Sequence, residues 1–200
     1  MVKIIILPEA LADLILAIQL CPVEISGLGK VKPIGENFLI EEIYVFKQRC
    51  SEPKTVFNSQ ARGQFLHEMM KSGKGEEINS FNLWWHSHVC SDAEWSGTDR
   101  NNIEEFRPPN GADYLISIVG NKSNILTVRL DYFQPERLTF DHLPLYCGTL
   151  KNYTPFNEIS VSAQAKAIKE EIKQQLKDRE TAMQNLVKKL VEIKEEDENN

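Results

Sequence analysis

The stretch FNLWWHSHVCSDAEWSGTD, residues 81–99, decides how the chain is read. Up to His88 it has the character of a strand: Phe81, Leu83, Trp85 and Ser87 alternate with Asn82, Trp84, His86 and His88. Side chains two apart on a strand leave the same face, ~6.5–7 Å apart along the backbone, so the two imidazoles can converge on one ion. Histidine is the commonest metal ligand and a carboxylate is a usual third partner in a catalytic zinc site. Asp99, eleven residues beyond His88, leaves the chain room to turn back and supply it. Ser96 followed three residues later by Asp99 also has the form of a helix N-cap with a capping box, and an acid in a first helical turn can still face an ion.

Outward from this stretch, the chain reads as alternating short strands and helices. Residues 3–7 form a β-branched apolar run, expected as a strand buried on both faces. Pro8 opens a helix to about residue 20 with Leu11, Leu14, Ile15 and Ile18 on one face, and Pro22 closes it. Glu24 leads into a strand over about 25–32; alone it reads as a solvated strand-edge residue. Residues 38–46 pair back as a hairpin over the turn at Gly35. A loop at 50–53 precedes a helix over 58–71 with Ala61, Phe65, Leu66 and Met69 at helical spacing, and His67 on it reads as a surface or capping residue. After the metal-motif strand and its helix, residues 107–111 break the chain. Three strands over 114–119, 125–133 and 137–140 follow as a meander, the first turn at 120–124. His142 has no ligand spacing around it and is taken as structural.

The composition of 200 residues, 42% apolar and 26% charged, is that of a globular protein with one ordinary domain and something appended. A formal charge of −6 argues against nucleic acid as the main partner. No stretch has the length and apolarity of a membrane span, and residues 2–7 are too short for a signal-peptide core, so a cytoplasmic location is expected. Four dispersed cysteines fit reduced thiols better than a disulfide framework. There is no internal repeat and no glycine-rich phosphate loop.

The spacing His-x-His, seven residues, Ser, two residues, Asp is filled by His86, His88, Ser96 and Asp99, and an upstream glutamate is present in Val23, Glu24, Ile25, Ser26, Gly27, Leu28 and Gly29. This pattern resembles the JAMM, or MPN-plus (JAB), zinc metalloproteases over roughly residues 1–150. The resemblance implies an α+β fold: a curved mixed β-sheet flanked by helices, similar to cytidine deaminases. It implies zinc-dependent hydrolysis of isopeptide or peptide bonds beside ubiquitin-like proteins, the substrate partners of the family. His86, His88 and Asp99 would hold Zn2+, leaving one position open as catalytic sites do. Glu24 would act as general base and Ser96 as a hydrogen-bond donor to the oxyanion. Val89 stands where the family has proline after the second histidine, and Trp95 stands where a small, apolar or proline residue precedes the serine. Both bear on substrate fit rather than on the metal. Cys90 could enter as a soft fourth ligand, although its reading as a buried small residue is better. Two other functions remain as alternatives: a non-catalytic MPN-type scaffold subunit, whose members typically lose the ligands this chain keeps, and a metal hydrolase of small amides using the same site.

Residues 151–157 read as a linker and 158–200 as a long helix with an acidic end. Ile172, Leu176, Met183, Leu186, Leu190 and Ile193 form a narrow seam interrupted by Arg179. Such a helix needs an apolar partner. Either it folds onto its own domain or it pairs with another chain, as a homodimer or with a partner subunit; the linker favours the intermolecular reading.

Overall fold

A computed structural model describes residues 2–50, 59–89, 91–105, 113–158 and 163–193. The expectations for the 51–53 loop, Cys90, the 107–111 break and the acidic end lie outside the described residues. The fold is α+β. Strands β1 (Ile4–Ile6), β2 (Ser26–Ile34), β3 (Asn37–Val45), β5 (Leu83–His88), β6 (Tyr114–Asn121), β7 (Leu126–Tyr132), β8 (Leu138–Leu143), β9 (Leu145–Thr149) and β10 (Asn152–Pro155) form one mixed sheet. Their order is β10-β9-β1-β3-β2-β5-β6-β7-β8. The sheet is curled. Phe38 of β3 and Tyr114 of β6 are separated by two intervening strands, which a flat sheet would place roughly 14 Å apart, yet their ring centroids lie 4.6 Å apart.

Two apolar clusters flank this sheet. One contains Ile4, Ile6, Leu83, Trp85, Ile116 and Ile118 with helix α1 (Pro8–Leu20) and helix α4 (Ala163–Leu190). The other contains Leu28, Phe46, Trp84, Leu115 and Val119 with Met69 of helix α2 (Ser59–Lys71) and Ile103 of helix α3 (Gly97–Glu105). Strand β5 sits between them, buried along its whole length. The indole of Trp85 lies across β2 and donates to the Leu28 carbonyl at 3.1 Å. Gly27 is required beneath it, because a Cβ there would stand 2.5 Å from the indole and 2.0 Å from the Tyr44 carbonyl.

Helix α1 is buried nearly all round: Ala10, Leu11, Ala12, Leu14, Leu16, Ala17 and Ile18 are all inside. A helix apolar on every face must be covered on every face, and α4 covers the side that the sheet leaves open. Its last turn carries no basic residue, and Lys122 instead donates to the carbonyls of Ile18, Gln19 and Cys21, capping the helix from the β6–β7 turn.

The C-terminal region departs from expectation in several ways. Residues 152–155, read as a linker, are edge strand β10, antiparallel to β9, with Pro155 at the strand end where no inner ladder bond is lost. The helix therefore starts beside the domain and packs in cis on α1 rather than standing away from it, burying Ile168, Ile172, Met183 and Val187. The seam rotates by one position towards its end: Val187 is buried, and Leu186 is 36% exposed. Arg179, read as an interruption, lies in the buried stripe and donates to Asp13 of α1 at 2.7 Å. Beyond Leu190 the chain leaves the helix, and β11 (Val191–Ile193) pairs in parallel with β4 (Gln48–Cys50); Ile193 is thus in a strand. No helix among the described residues is long and apolar enough to cross a membrane.

Candidate metal centre

The site forms at the C-terminal end of β5, on the face that carries Trp84. His86 and His88 leave this face together, as a period of two requires. The Trp84 ring stacks on His86 with centroids 4.7 Å apart and 17° between planes. Trp95, from the loop joining β5 to α3, forms a second wall at 5.8 Å from the His86 ring. The expected variation at Trp95 is thus part of the pocket itself: its side chain is buried.

Asp99 arrives from the first turn of α3. Ser96 caps that helix: its Oγ accepts from the Asp99 N–H at 3.1 Å, while the Ser96 N–H donates to Asp99 Oδ2 at 2.8 Å. This reciprocal pair satisfies two otherwise unpaired helix-end donors. It also leaves the hydroxyl hydrogen of the exposed Ser96 outside the pair. The capping reading and the ligand reading of Asp99 hold together, since its two oxygens also face the two imidazoles.

His86 Nε2 lies 3.2 Å from His88 Nε2 and 3.1 Å from Asp99 Oδ1, and His88 Nε2 lies 3.5 Å from Asp99 Oδ2. One ligand atom from each residue falls within 4.8 Å of the others. His88 Nδ1 is 2.9 Å from the Asp92 carbonyl, which only accepts, so Nδ1 carries the hydrogen and Nε2 of the neutral ring presents a lone pair to the site. One possible ligand atom from each of the three residues therefore converges. Ligands at the corners of a tetrahedron around zinc, with bonds of about 2.0–2.1 Å, lie ~3.3–3.4 Å from one another. The 3.2 Å between the two nitrogens is close to that edge, and the nitrogens lie 3.1 and 3.5 Å from the two different oxygens of Asp99. The residues fit a small divalent cation. His86 Nδ1 is buried with no hydrogen-bond partner among the described residues, so this ring lacks the carbonyl that orients His88.

Electrostatics follow from the same contacts. Burial alone would raise the pKa of Asp99, but hydrogen bonds from His86 and His88 and the Ser96 cap outweigh it, and the carboxyl is held far below the usual range. The Asp99 hydrogen bond raises His88, against burial, with the Asp92 carbonyl and the charges of Asp99 and Glu24 adding to it.

Glu24 is half-buried and precedes β2. Ser26 pairs with His86, and Glu24 is two residues before Ser26 as His88 is two beyond His86, so strand register carries Glu24 to the side of His88. All five expected residues are thus brought to one end of β5, with Glu24 and Ser96 on its rim. His142 is exposed, in a left-handed backbone conformation 3.8 Å from Glu94, and His67 is exposed on α2. Sequence reasoning missed the Asp92 carbonyl, Asn121, which donates to the Ser91 carbonyl at 3.4 Å and steadies the ligand loop, and Gln48. A carbonyl has no residue-type signature, and Asn121 is recognisable only as the β6 residue paired with His88.

No family model matches the chain, and no curated protein matches it. Among solved structures, the chain is similar to the solution structure of protein DSY2949 from Desulfitobacterium hafniense, at 15% identity and a TM-score of 0.48, over 73% of this chain and 93% of that one.

Proposed function

We propose that this chain is a zinc-dependent isopeptidase or peptidase of the JAMM type, acting beside a ubiquitin-like protein. The observation that carries the reading is the buried convergence of His86 Nε2, His88 Nε2 and an Asp99 oxygen, all within 4.8 Å of one another, three ligand atoms of the kinds zinc takes. The flanking positions of Glu24 and Ser96 support the hydrolytic part, and the motif resemblance supports the ubiquitin-like substrate.

His86, His88 and Asp99 would hold the ion. When bound, zinc supplies a Lewis acid that brings the pKa of water towards ~7. Glu24 takes the proton of the attacking water on its carboxylate and returns it to the leaving amine, which for a lysine ε-amine cannot depart without it. Ser96, whose oxygen is engaged by the Asp99 N–H, donates its hydroxyl hydrogen to the oxygen of the tetrahedral adduct. Trp84 and Trp95 wall the imidazoles from solvent and strengthen each of these polar contacts.

The test is zinc content by elemental analysis, followed by hydrolysis of a lysine-linked ubiquitin dimer by wild type and Glu24→Gln. One zinc per chain is expected in both, with turnover lower by about 10²–10⁴-fold in the variant. Near-normal turnover in Glu24→Gln removes Glu24 from the mechanism. Zinc binding with cleavage of small amides alone makes the chain a small-amide hydrolase, and absence of zinc from metal-replete protein leaves a scaffold.

A further inference from the structure

The backbone just after Glu24 is held in an unusual way. The β2–β3 ladder ends at Gly27 and Val45, after which β3 leaves the sheet. The next residue, Ser26, would lose its partner on that side, but the side-chain amide of Gln48 takes the vacated place. Gln48 Oε1 accepts from the Ser26 N–H at 3.0 Å and from its hydroxyl at 3.3 Å, while Nε2 donates to the Ser26 carbonyl at 2.8 Å and the Phe46 carbonyl at 3.0 Å. A primary amide offers the same donor and acceptor as a peptide group, so it substitutes for a rung of the ladder. On the other side the Ile25 carbonyl accepts from the Ser87 N–H at 2.8 Å, but the Ile25 N–H donates to Ser87 Oγ at 3.0 Å, a side chain again replacing backbone. Gln48 and Ser87 are 5% and 1% exposed, so both sets of bonds are shielded from competing water.

We propose that Gln48 and Ser87 are positioning residues for Glu24: two side-chain rungs that extend the sheet past the end of β3 and fix the segment carrying the base beside His88. The proposal rests on the hydrolase reading of Glu24. It assigns a role to Ser87, which stands between the two metal-binding histidines and points to the opposite face. Through Gln48 it also ties the site to β4 and hence to its parallel partner β11. Neither residue touches the reacting atoms; each acts through the backbone at 25–26. Misplacing a catalytic group by about 1 Å costs up to ~10²-fold in rate.

The experiment compares the zinc-loaded full chain with Gln48→Leu and Ser87→Ala by three readouts: zinc content, amide hydrogen exchange at Ile25 and Ser26, and kcat and KM on a lysine-linked ubiquitin dimer. Expected are one zinc per chain throughout and exchange at least about tenfold faster at Ser26 in Gln48→Leu and at Ile25 in Ser87→Ala. With these, kcat should fall by about 10–10²-fold while KM stays within about twofold. If Gln48→Leu does not fold, Ser87→Ala, which removes a single acceptor, carries the test. Faster exchange with kcat unchanged overturns the proposal, as does loss of zinc in step with kcat. A wild type that binds zinc but cleaves no conjugate defeats the hydrolase reading instead; crystal structures of the variants then decide the clamp, with Glu24 displaced supporting it and Glu24 in place overturning it.

Discussion

Asp131 and Asp99 are both buried carboxylates, 0% and 6% exposed, and the chain surrounds them in opposite ways. Asp131 on β7 meets a cation of the chain's own. Arg129 donates to it through Nε at 2.7 Å and NH2 at 2.9 Å, and the Thr139 hydroxyl donates at 2.7 Å. Its oxygens are satisfied by a bidentate fork, and that network is closed. Asp99 meets two imidazoles, of which His88 presents a lone pair, and one backbone N–H. Here the partner proposed is an ion from outside. A buried acid with its own guanidinium is architecture; a buried acid facing two imidazole nitrogens is a group that could hold a metal.

The sharpest way to break this comparison is to exchange the outcomes. Asp99→Ala or His86→Ala should lower zinc affinity by more than about 10²-fold, beyond the ~10–100-fold lost when a residue that merely hydrogen-bonds a ligand is changed, with hydrolysis lost alongside. Chelator competition measures this. Asp131→Ala should leave zinc stoichiometry unchanged in the folded protein.

Its effect belongs to stability. Removing Asp131 takes both fork bonds from the buried Arg129 guanidinium, which lies 5% exposed and keeps the looser Asp141 contact at 3.5 Å, and should cost about 3 kcal/mol in urea unfolding. An Asp131 variant within 1 kcal/mol of wild type, on the order of a surface change, would mean the network is not closed as described.

The zinc site should show itself thermodynamically through pH and metal. Zinc at about 100 times its Kd adds ~2.7 kcal/mol of stability. Without metal, Asp99 has a depressed folded pKa, so its contribution is present above the unfolded value of ~3.9 and is lost as pH falls through the folded one. His88 has a raised folded pKa, so its contribution is complete below ~6.5 and is lost as pH rises through the folded value. The metal-free protein should therefore lose stability as pH rises above ~6.5 and through the raised folded value, whereas zinc, which displaces that proton, should be most stabilising on the alkaline side. Thermal melts with chelator and with zinc across this range check the crossing.

Smaller effects separate capping from catalysis and solvated pairs from buried ones. Ser96→Ala should cost about 1 kcal/mol as a lost N-cap while retaining zinc. Asp13 and Arg179 join α1 to α4 with side chains 19% and 38% exposed. Burial raises the Asp13 pKa despite Arg179, the reverse of the balance at Asp99. Asp13→Asn should then change stability by no more than ~1 kcal/mol, against about 2–5 kcal/mol for Met183→Ala in the same helix contact.

What the sequence determined by itself was local. The period of two puts His86 and His88 on one face, and the Ser96–Asp99 step is a capping box whatever surrounds it. Gly35 closes the β2–β3 hairpin with a left-handed backbone that glycine adopts freely. These follow from chain geometry within a few residues, and for that reason the proposed ligand set was legible. Tertiary structure alone decided the partners. The α4 stripe states that an apolar surface must cover it, but not whose; the answer lies in α1, apolar on every face, which neither the sheet nor α4 could bury alone. Strands β4, β9, β10 and β11 are three to five residues long, too short to announce themselves; β9 forms on the distant β1, β10 folds back on β9, and β4 and β11 pair with each other. Arg179 looks like an interruption until Asp13 stands opposite. Gln48 is an ordinary polar residue in sequence; its role arises only where β3 turns away and leaves Ser26 without a rung, and a missing rung is a property of two strands in space.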